Sequence, residues 1–269
     1  WYLLHGRRAE AERAHLRLSG GEGDPLPPQT ANVATGNWRD LFVGRSFMVL
    51  ILATGLFAFA NLSGIDAILY YAPVIFAQVG FDGAYGPILA TVAIGVVNVI
   101  ATLIAMALID RLGRRPLLIG GLVPMAASLI VLAVVLANGQ GAAWSNIVAV
   151  ACLGLFVLAF GLSLGPLPYV LMSELFPLAL RGTGMGIASA TAWGVNVLVS
   201  LTFPVLVEAF GLALVLGFYG VISIAALLFV LALVPETRGR SLELIEANLA
   251  SGRPVRDLGL PLPANAQSG

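Results

Sequence analysis

Asp66, in the run NLSGIDAILYYAP, is the ionisable residue set deepest in an apolar stretch of this chain. A carboxylate in such surroundings is costly unless it is paired, protonated or facing water, which makes it a candidate binding group. It also suits a local role, capping a helix break at Gly64, and the two roles are compatible. Asn61 lies five residues earlier, about 140° away around an unbroken helix, so the two side chains share a pocket only if the helix unwinds. Asn98, in VAIGVVNVIA, and Asn196, in TAWGVNVLV just after Trp193, are single amides in apolar surroundings. An amide donates and accepts, and an aromatic ring covers a C–H face. Together they suit a polyhydroxylated ligand. Hydrogen bonding between helices is the equal alternative for any one of these amides.

A second set of chemistry-bearing residues joins acids to arginines in DRLGRRP (110–116), SELFPLALRG (173–182) and PETRGRSLELIE (235–246). Membrane anchoring alone explains the arginines but not the acids. Asp110, Glu174 and Glu236 near Arg111, Arg115, Arg181 and Arg238 suggest a network of charge pairs at the mouths of helices, able to hold one conformation and release in another. Catalysis finds no support. Residues 161–165 fit G-x-S-x-G, but that elbow needs a strand-turn-helix and a base, and His5 and His15 both lie in a polar leader. No catalytic residue, no metal site and no cofactor is expected. The single cysteine, Cys152, sits in an apolar run and reads as a small buried residue without a disulfide partner.

The elements that must position these residues are membrane helices. The chain is 59% hydrophobic and 10% charged, against about 45–50% and about 25% in soluble domains. The apolar residues come in blocks long enough to span a bilayer, near 44–78, 86–109, 116–137, 144–172, 183–208 and 212–234. The first block is too long for one straight span and contains Gly64, Asp66 and Pro73, so a break beside a binding site is expected. Gly161, Gly165, Pro166 and Pro168 weaken the fourth span ahead of Tyr169. Gly186, Ala190 and Gly194 form a small-residue stripe on the fifth, expected to admit a neighbouring helix closely.

Residues 1–42 form a polar leader, a charged helix followed by a Gly- and Pro-rich loop, and 235–269 form a tail with a disordered end. The opening at Trp1 reads as the continuation of a preceding segment. Arginines occupy the leader, the loops after the second and fourth spans and the tail, while the alternate loops near 79–85, 138–143 and 209–211 have none. The positive-inside bias therefore puts both ends and the Arg-bearing loops in the cytoplasm of a multi-pass cell-membrane protein whose surroundings are the lipid bilayer. A formal net charge of zero gives no reason to expect nucleic acid.

GIDAILYYAPVIF, VAIGVVN before DRLGRRP, GPLPYVLMSELFP followed by RGTG, the Trp-to-Asn stretch before FP, and PETRGRSLELIE resemble, in order and spacing, the sugar porter family of the major facilitator superfamily. The resemblance runs from residue 1 to about 248. It implies an all-α membrane protein, the six-helix C-terminal bundle of a transporter (helices seven to twelve), preceded by a cytoplasmic helical linker. It further implies transport of a sugar or polyol by alternating access, a missing N-terminal six-helix half as partner, and substrate contacts at Asn61, Asp66, Asn98, Tyr169, Trp193 and Asn196. Asn61 matches the second of two sugar-binding glutamines, Asp66 an asparagine and Tyr169 a tryptophan of the family. Ala60 and Ala192 stand where glutamines are found, and Asp at position 66 is similar to polyol and cyclitol carriers. Protons stay open as a coupled species, because the coupling carboxylate of family symporters belongs to the other half. A membrane sugar sensor or an inactive truncated carrier is the competing expectation.

Overall fold

The computed structural model describes residues 9–11, 13, 38–78, 85–138 and 143–261, and no strand occurs among them. Most of the leader expected over 1–42 lies outside the described residues, as does the end of the tail, 262–269. Residues 9–11 and 13 are helical, and Trp38–Phe42 makes a 3-10 turn at the entry to the first span.

Among the described residues, six helical stretches are long and apolar enough to cross a membrane: Gly44–Tyr70, Gly86–Leu112, Arg114–Asn138, Trp144–Leu175, Arg181–Phe210 and Leu212–Leu233. The first is built from α1 (Gly44–Leu62) and α2 (Ile65–Tyr70), with α3 (Ala72–Gln78) continuing beyond Tyr71. The second and third are α4 (Gly86–Leu112) and α5 (Arg114–Asn138). The fourth is split into α6 (Ala143–Leu162) and α7 (Leu167–Leu175), and α8 (Arg181–Phe210) and α9 (Leu212–Leu233) complete the set. A short α10 (Leu242–Ala250) follows outside the spans, its first turn capped by Ser241, whose hydroxyl accepts from the Leu244 N–H at 3.3 Å.

The expected break in the first span falls at Ser63–Gly64. Gly64 sits at φ +81°, a left-handed conformation that glycine adopts without the Cβ clash other residues suffer. There is also no space for a side chain, because a Cβ on Gly64 would run into the ring of Tyr219. Ser63, fully buried, satisfies its hydroxyl by donating to the Ala60 carbonyl at 2.6 Å. Pro73 then falls in the first turn of α3, where its missing N–H costs no helical bond. The fourth span breaks over 163–166. There Ser163 donates to the Ala159 carbonyl at 2.7 Å, the Gly165 N–H reaches the Phe160 carbonyl at 3.0 Å, and Pro168 falls in the first turn of the new helix. The G-x-S-x-G serine is thus a fully buried hydroxyl bonded to its own helix.

α5 forms the centre of one side, packed along α6 and α9, while α1 packs along α8 and α4 along α6. Leu118, Leu122, Met125, Leu129 and Leu132 of α5 are all fully buried, and their alternating spacing of four and three keeps one helix face inward. The other face shows Val123, Val131 and Val134, about half exposed. An apolar residue is at home on either side of a membrane helix, since lipid tails are as apolar as the core. Burial is uneven: α4 and α8 bury 22% and 17% of their apolar windows, against 56% for the first span. The stripe Gly186, Ala190, Gly194 lies on the exposed face of α8, and nothing comes within 4 Å of a Cβ placed on either glycine. The close helix approach expected there is therefore not made among the described residues. Small residues permit contact but do not say with what.

The tail is folded as far as Pro261, and the end expected to be disordered lies outside the described residues. Beyond α10 the chain turns through a 3-10 helix, Val255–Asp257, and buries Val255 and Leu258. The Asn248 amide donates to the carbonyls of Leu258 at 2.9 Å and Leu260 at 2.7 Å, tying this segment down as far as it is described. Its apolar residues are too few to form a pattern in sequence, but one buried amide with two acceptors fixes the turn.

Candidate functional site

Unwinding at Ser63–Gly64 lets Asn61, at the end of α1, and Asp66, at the start of α2, meet a common partner. Asn196 reaches them from the middle of α8. Its Nδ2 donates to Asp66 Oδ2 at 2.6 Å and to Asn61 Oδ1 at 3.2 Å. Both N–H bonds of that amide are engaged, the one to Asp66 being the shorter. Asn61 in turn donates from Nδ2 to the Phe57 carbonyl at 2.9 Å, which orients its oxygen toward Asn196.

These three polar side chains sit in a cavity of about 230 Å³ lined by α1, α2, the broken fourth span and α8. Aromatic rings surround them. Tyr70 and Trp193 are 59% and 66% exposed, and Trp193 lies one helical turn before Asn196, on the same face of α8. Tyr169 enters from α7, with its ring edge-on to Phe57 at 4.7 Å. The positions resembling family glutamines, Ala60 and Ala192, are buried in the lining, so methyl groups stand on that wall. The arrangement offers a carboxylate acceptor, amides that donate and accept, and rings for C–H faces.

Of the six candidates for substrate contact, Asn61, Asp66, Tyr169, Trp193 and Asn196 line this cavity and Asn98 does not. Asn98 faces Gly161 of α6, with its Oδ1 buried and lacking a hydrogen-bond partner. Gly161 adjoins Phe160, which does line the cavity. Tyr70 and Phe57 join the site without having been singled out. The α2 register was the available signal for Tyr70, which follows Asp66 by one turn.

The charged network lies away from this cavity, at the ends of α4, α7 and α9 and the start of α5, and its centre is a residue passed over in the sequence. Arg114, the first residue of α5, donates from Nη2 to Glu174 Oε1 at 2.7 Å and from Nε to the same oxygen at 3.1 Å. Nη2 also lies 3.2 Å from Asp110 at the end of α4. Thr237, after α9, donates to the other oxygen of Glu174. Glu236 plays a different part: it accepts from the backbone N–H groups of Arg114 at 3.1 Å, Arg115 at 3.1 Å and Arg238 at 2.9 Å. It thus caps α5 from another segment, satisfying N–H groups that a helix start leaves free and placing negative charge at the positive end of the dipole. The third residue of α5, Pro116, has no N–H to satisfy. Gly113 allows the close approach. Its φ is +94°, and a Cβ there would fall 2.7 Å from Glu236 Oε2.

The remaining candidates are placed differently. Arg115 donates from Nη2 to the Leu231 carbonyl at 2.8 Å, and Arg181 donates to the Phe176 carbonyl at 3.3 Å. Both cations therefore tie backbone ends rather than acids. Arg111 and Arg238 are exposed. The spacing of Asp110 and Arg114, one turn apart, was the signal that could have found the hub. No group of His, Cys, Asp or Glu suited to a metal occurs among the described residues.

A family profile described as "Sugar (and other) transporter" matches residues 1–249. The chain is similar to the D-xylose transporter of Levilactobacillus brevis, at 39% identity over 82% of this chain and 48% of that one. It is similar to the galactose-proton symporter of Escherichia coli, at 34% identity over 96% of this chain and 57% of that one. Among solved structures, the proton:xylose symporter XylE bound to 6-bromo-6-deoxy-D-glucose aligns with a TM-score of 0.75 and 32% identity, over 92% of this chain and 53% of that chain. The chain spans about half the length of these relatives.

Proposed function

Because this chain belongs to the sugar transporter family of the major facilitator superfamily, whose members are transporters rather than enzymes, we propose that it forms the C-terminal six-helix half of a carrier for a sugar or polyol. The observation that carries the proposal is the convergence of Asn61, Asp66 and Asn196 at a helix break, beneath the rings of Tyr70, Tyr169 and Trp193. A substrate hydroxyl donates to the Asp66 carboxylate, the amides of Asn196 and Asn61 exchange a protein partner for a substrate oxygen, and the rings cover C–H faces.

The cavity, about 230 Å³, is smaller than the roughly 300–1,000 Å³ usual for small-ligand pockets. That size supports completion of the site by an N-terminal six-helix half. Rocking of the halves about the central site then alternates access. The Arg114–Glu174 pair and the Glu236 cap hold the charged end closed in one state and separate in the other. Asn98 enters this reading as a buried acceptor next to the cavity wall, available if the break in the fourth span shifts.

Two wall positions favour a compact polyol or sugar over a ligand that needs several long amides, since Ala60 and Ala192 neither donate nor accept. A proton as coupled species is supported by relatives whose names describe proton symporters. The distribution of arginines supports a cell-membrane protein with residues 1–42 and 235–269 on the cytoplasmic side and 43–234 in the bilayer.

Uptake by the complete carrier in proteoliposomes tests the reading. Asp66→Ala and Asn196→Ala are expected to weaken uptake of the preferred substrate at least about ten-fold, the loss of one hydrogen bond. Uptake driven by an imposed proton gradient separates symport from facilitated diffusion. Normal kinetics in both variants would remove the site assignment.

A further inference from the structure

Outside the substrate cavity, the charged end of the bundle holds a second cavity of about 350 Å³ built by the folded tail. Its charged lining is Arg115, Arg238, Arg240 and Arg256 with Glu236 and Asp257. Four guanidinium groups therefore face two carboxylates. One carboxylate is already committed: Glu236 accepts from the backbone N–H groups of Arg114, Arg115 and Arg238 and forms no ion pair with the arginine side chains of the cavity. Asp257 is the one acid left to oppose them.

Three features suggest a site rather than a loose basic surface. Arg256 and Asp257 are held in place by the buried Val255 and Leu258 and by the Asn248 bonds to the Leu258 and Leu260 carbonyls. Arg115 is anchored through Nη2 to the Leu231 carbonyl, yet its Nε is buried with no hydrogen-bond partner. A buried donor without an acceptor is rare in folded proteins, and a partner reaches this one only when the guanidinium turns toward the cavity. Finally, among the described residues Arg238, Arg240 and Arg256 form no ion pair, although they converge from two separate segments. Guanidinium forks match the oxygens of a phosphate group in spacing and charge.

We propose that this cavity binds a phosphate-bearing anion, which ties the folded tail to the start of α5 and the segment after α9. The inference rests on the tail and its arginines and does not depend on the transport reading. The phosphate group can come from a lipid headgroup at the membrane surface or from free phosphate.

The test uses the complete protein in dodecyl maltoside micelles, which carry no phosphate, titrated calorimetrically at fixed ionic strength with inorganic phosphate and, separately, with short-chain phosphatidate. Saturable binding is expected, at least about ten-fold weaker in the Arg240→Gln/Arg256→Gln double variant, which is about 1.4 kcal/mol. Both substituted residues are exposed, and an unchanged thermal midpoint confirms that the variant is folded. Arg45→Gln, exposed near the start of α1, is expected to leave binding unchanged. Saturation by inorganic phosphate shows that the group alone suffices, whereas saturation by phosphatidate alone assigns the site to a lipid headgroup. Absence of saturation by either, equal affinity in the double variant, or an equal loss in Arg45→Gln overturns the proposal.

Discussion

Replacing Arg114 and Glu174 by Gln, singly and together, isolates the ion pair at the charged end of the bundle. The two side chains retain 11% and 20% of their exposure, so the pair is mostly withdrawn from water but not fully buried. At 2.7 Å and an effective dielectric constant of about 20, the gross attraction is about 6 kcal/mol. Desolvation of both groups offsets most of it. Because two N–H groups of Arg114 share one oxygen and Thr237 holds the other, we expect a net coupling of about 2 kcal/mol, or roughly thirty-fold in an equilibrium constant. Asp110, 3.2 Å from Arg114 but with 82% of its side chain exposed, compensates little. Unfolding of the four proteins in detergent gives the coupling energy from the double-mutant cycle. In the complete carrier, thiol labelling of Ala60→Cys in a Cys152→Ser background is expected to change several-fold with Glu174→Gln, because the pair biases the population of the two access states. A coupling below about 0.5 kcal/mol would refute the clamp. Labelling that ignores Glu174→Gln would leave the charges without a gating role.

Gly64→Ala combines a left-handed backbone with a clash against Tyr219, so a loss of about 2 kcal/mol or more in unfolding free energy is expected. Tyr219→Leu in the same chain recovers the steric share but not the backbone share, and full recovery would show that φ at this position is unconstrained. Gly113→Ala displaces the Glu236 carboxylate from the start of α5. It should destabilise by about 1–2 kcal/mol, and prior Glu236→Gln should reduce that loss. Ala192→Gln adds an amide to the cavity wall and fills part of it, and the ratio of KM for a polyol to KM for a hexose should rise. An unchanged ratio would place Ala192 outside the specificity-determining wall. Asn98→Ala, measured beside Asp66→Ala in the complete carrier, should lower substrate affinity less than the latter, since Asn98 stands off the cavity; equal losses would bring it into the site.

Much of this protein was legible without coordinates because membrane spans are written in composition. A bilayer accepts only structures whose backbone groups are all paired, and an unbroken apolar run of about 20 residues meets that condition as a helix. The same local logic located the break at Gly64, since a glycine and a carboxylate amid apolar residues conflict with a continuous span. It also named the ends that carry charge. Local pattern failed where a residue's meaning depends on what faces it. Gly186, Ala190 and Gly194 are small in any context, but only the packed chain shows that they face outward. Along the chain only its place one turn after Asp110 sets Arg114 apart from Arg111 and Arg115, and its main partner appears only when the turn at Gly113 directs it at Glu174, 60 residues away in sequence. Asn196 lies 135 residues from Asn61, and no periodicity relates them. Sequence determined the six spans, their breaks and the residue types available for binding, because those follow from short-range sterics and from the solvent. Tertiary structure alone decided which amide meets the carboxylate, which arginine holds the acids and how the tail folds back, because directional bonds between distant segments depend on the packing of whole helices.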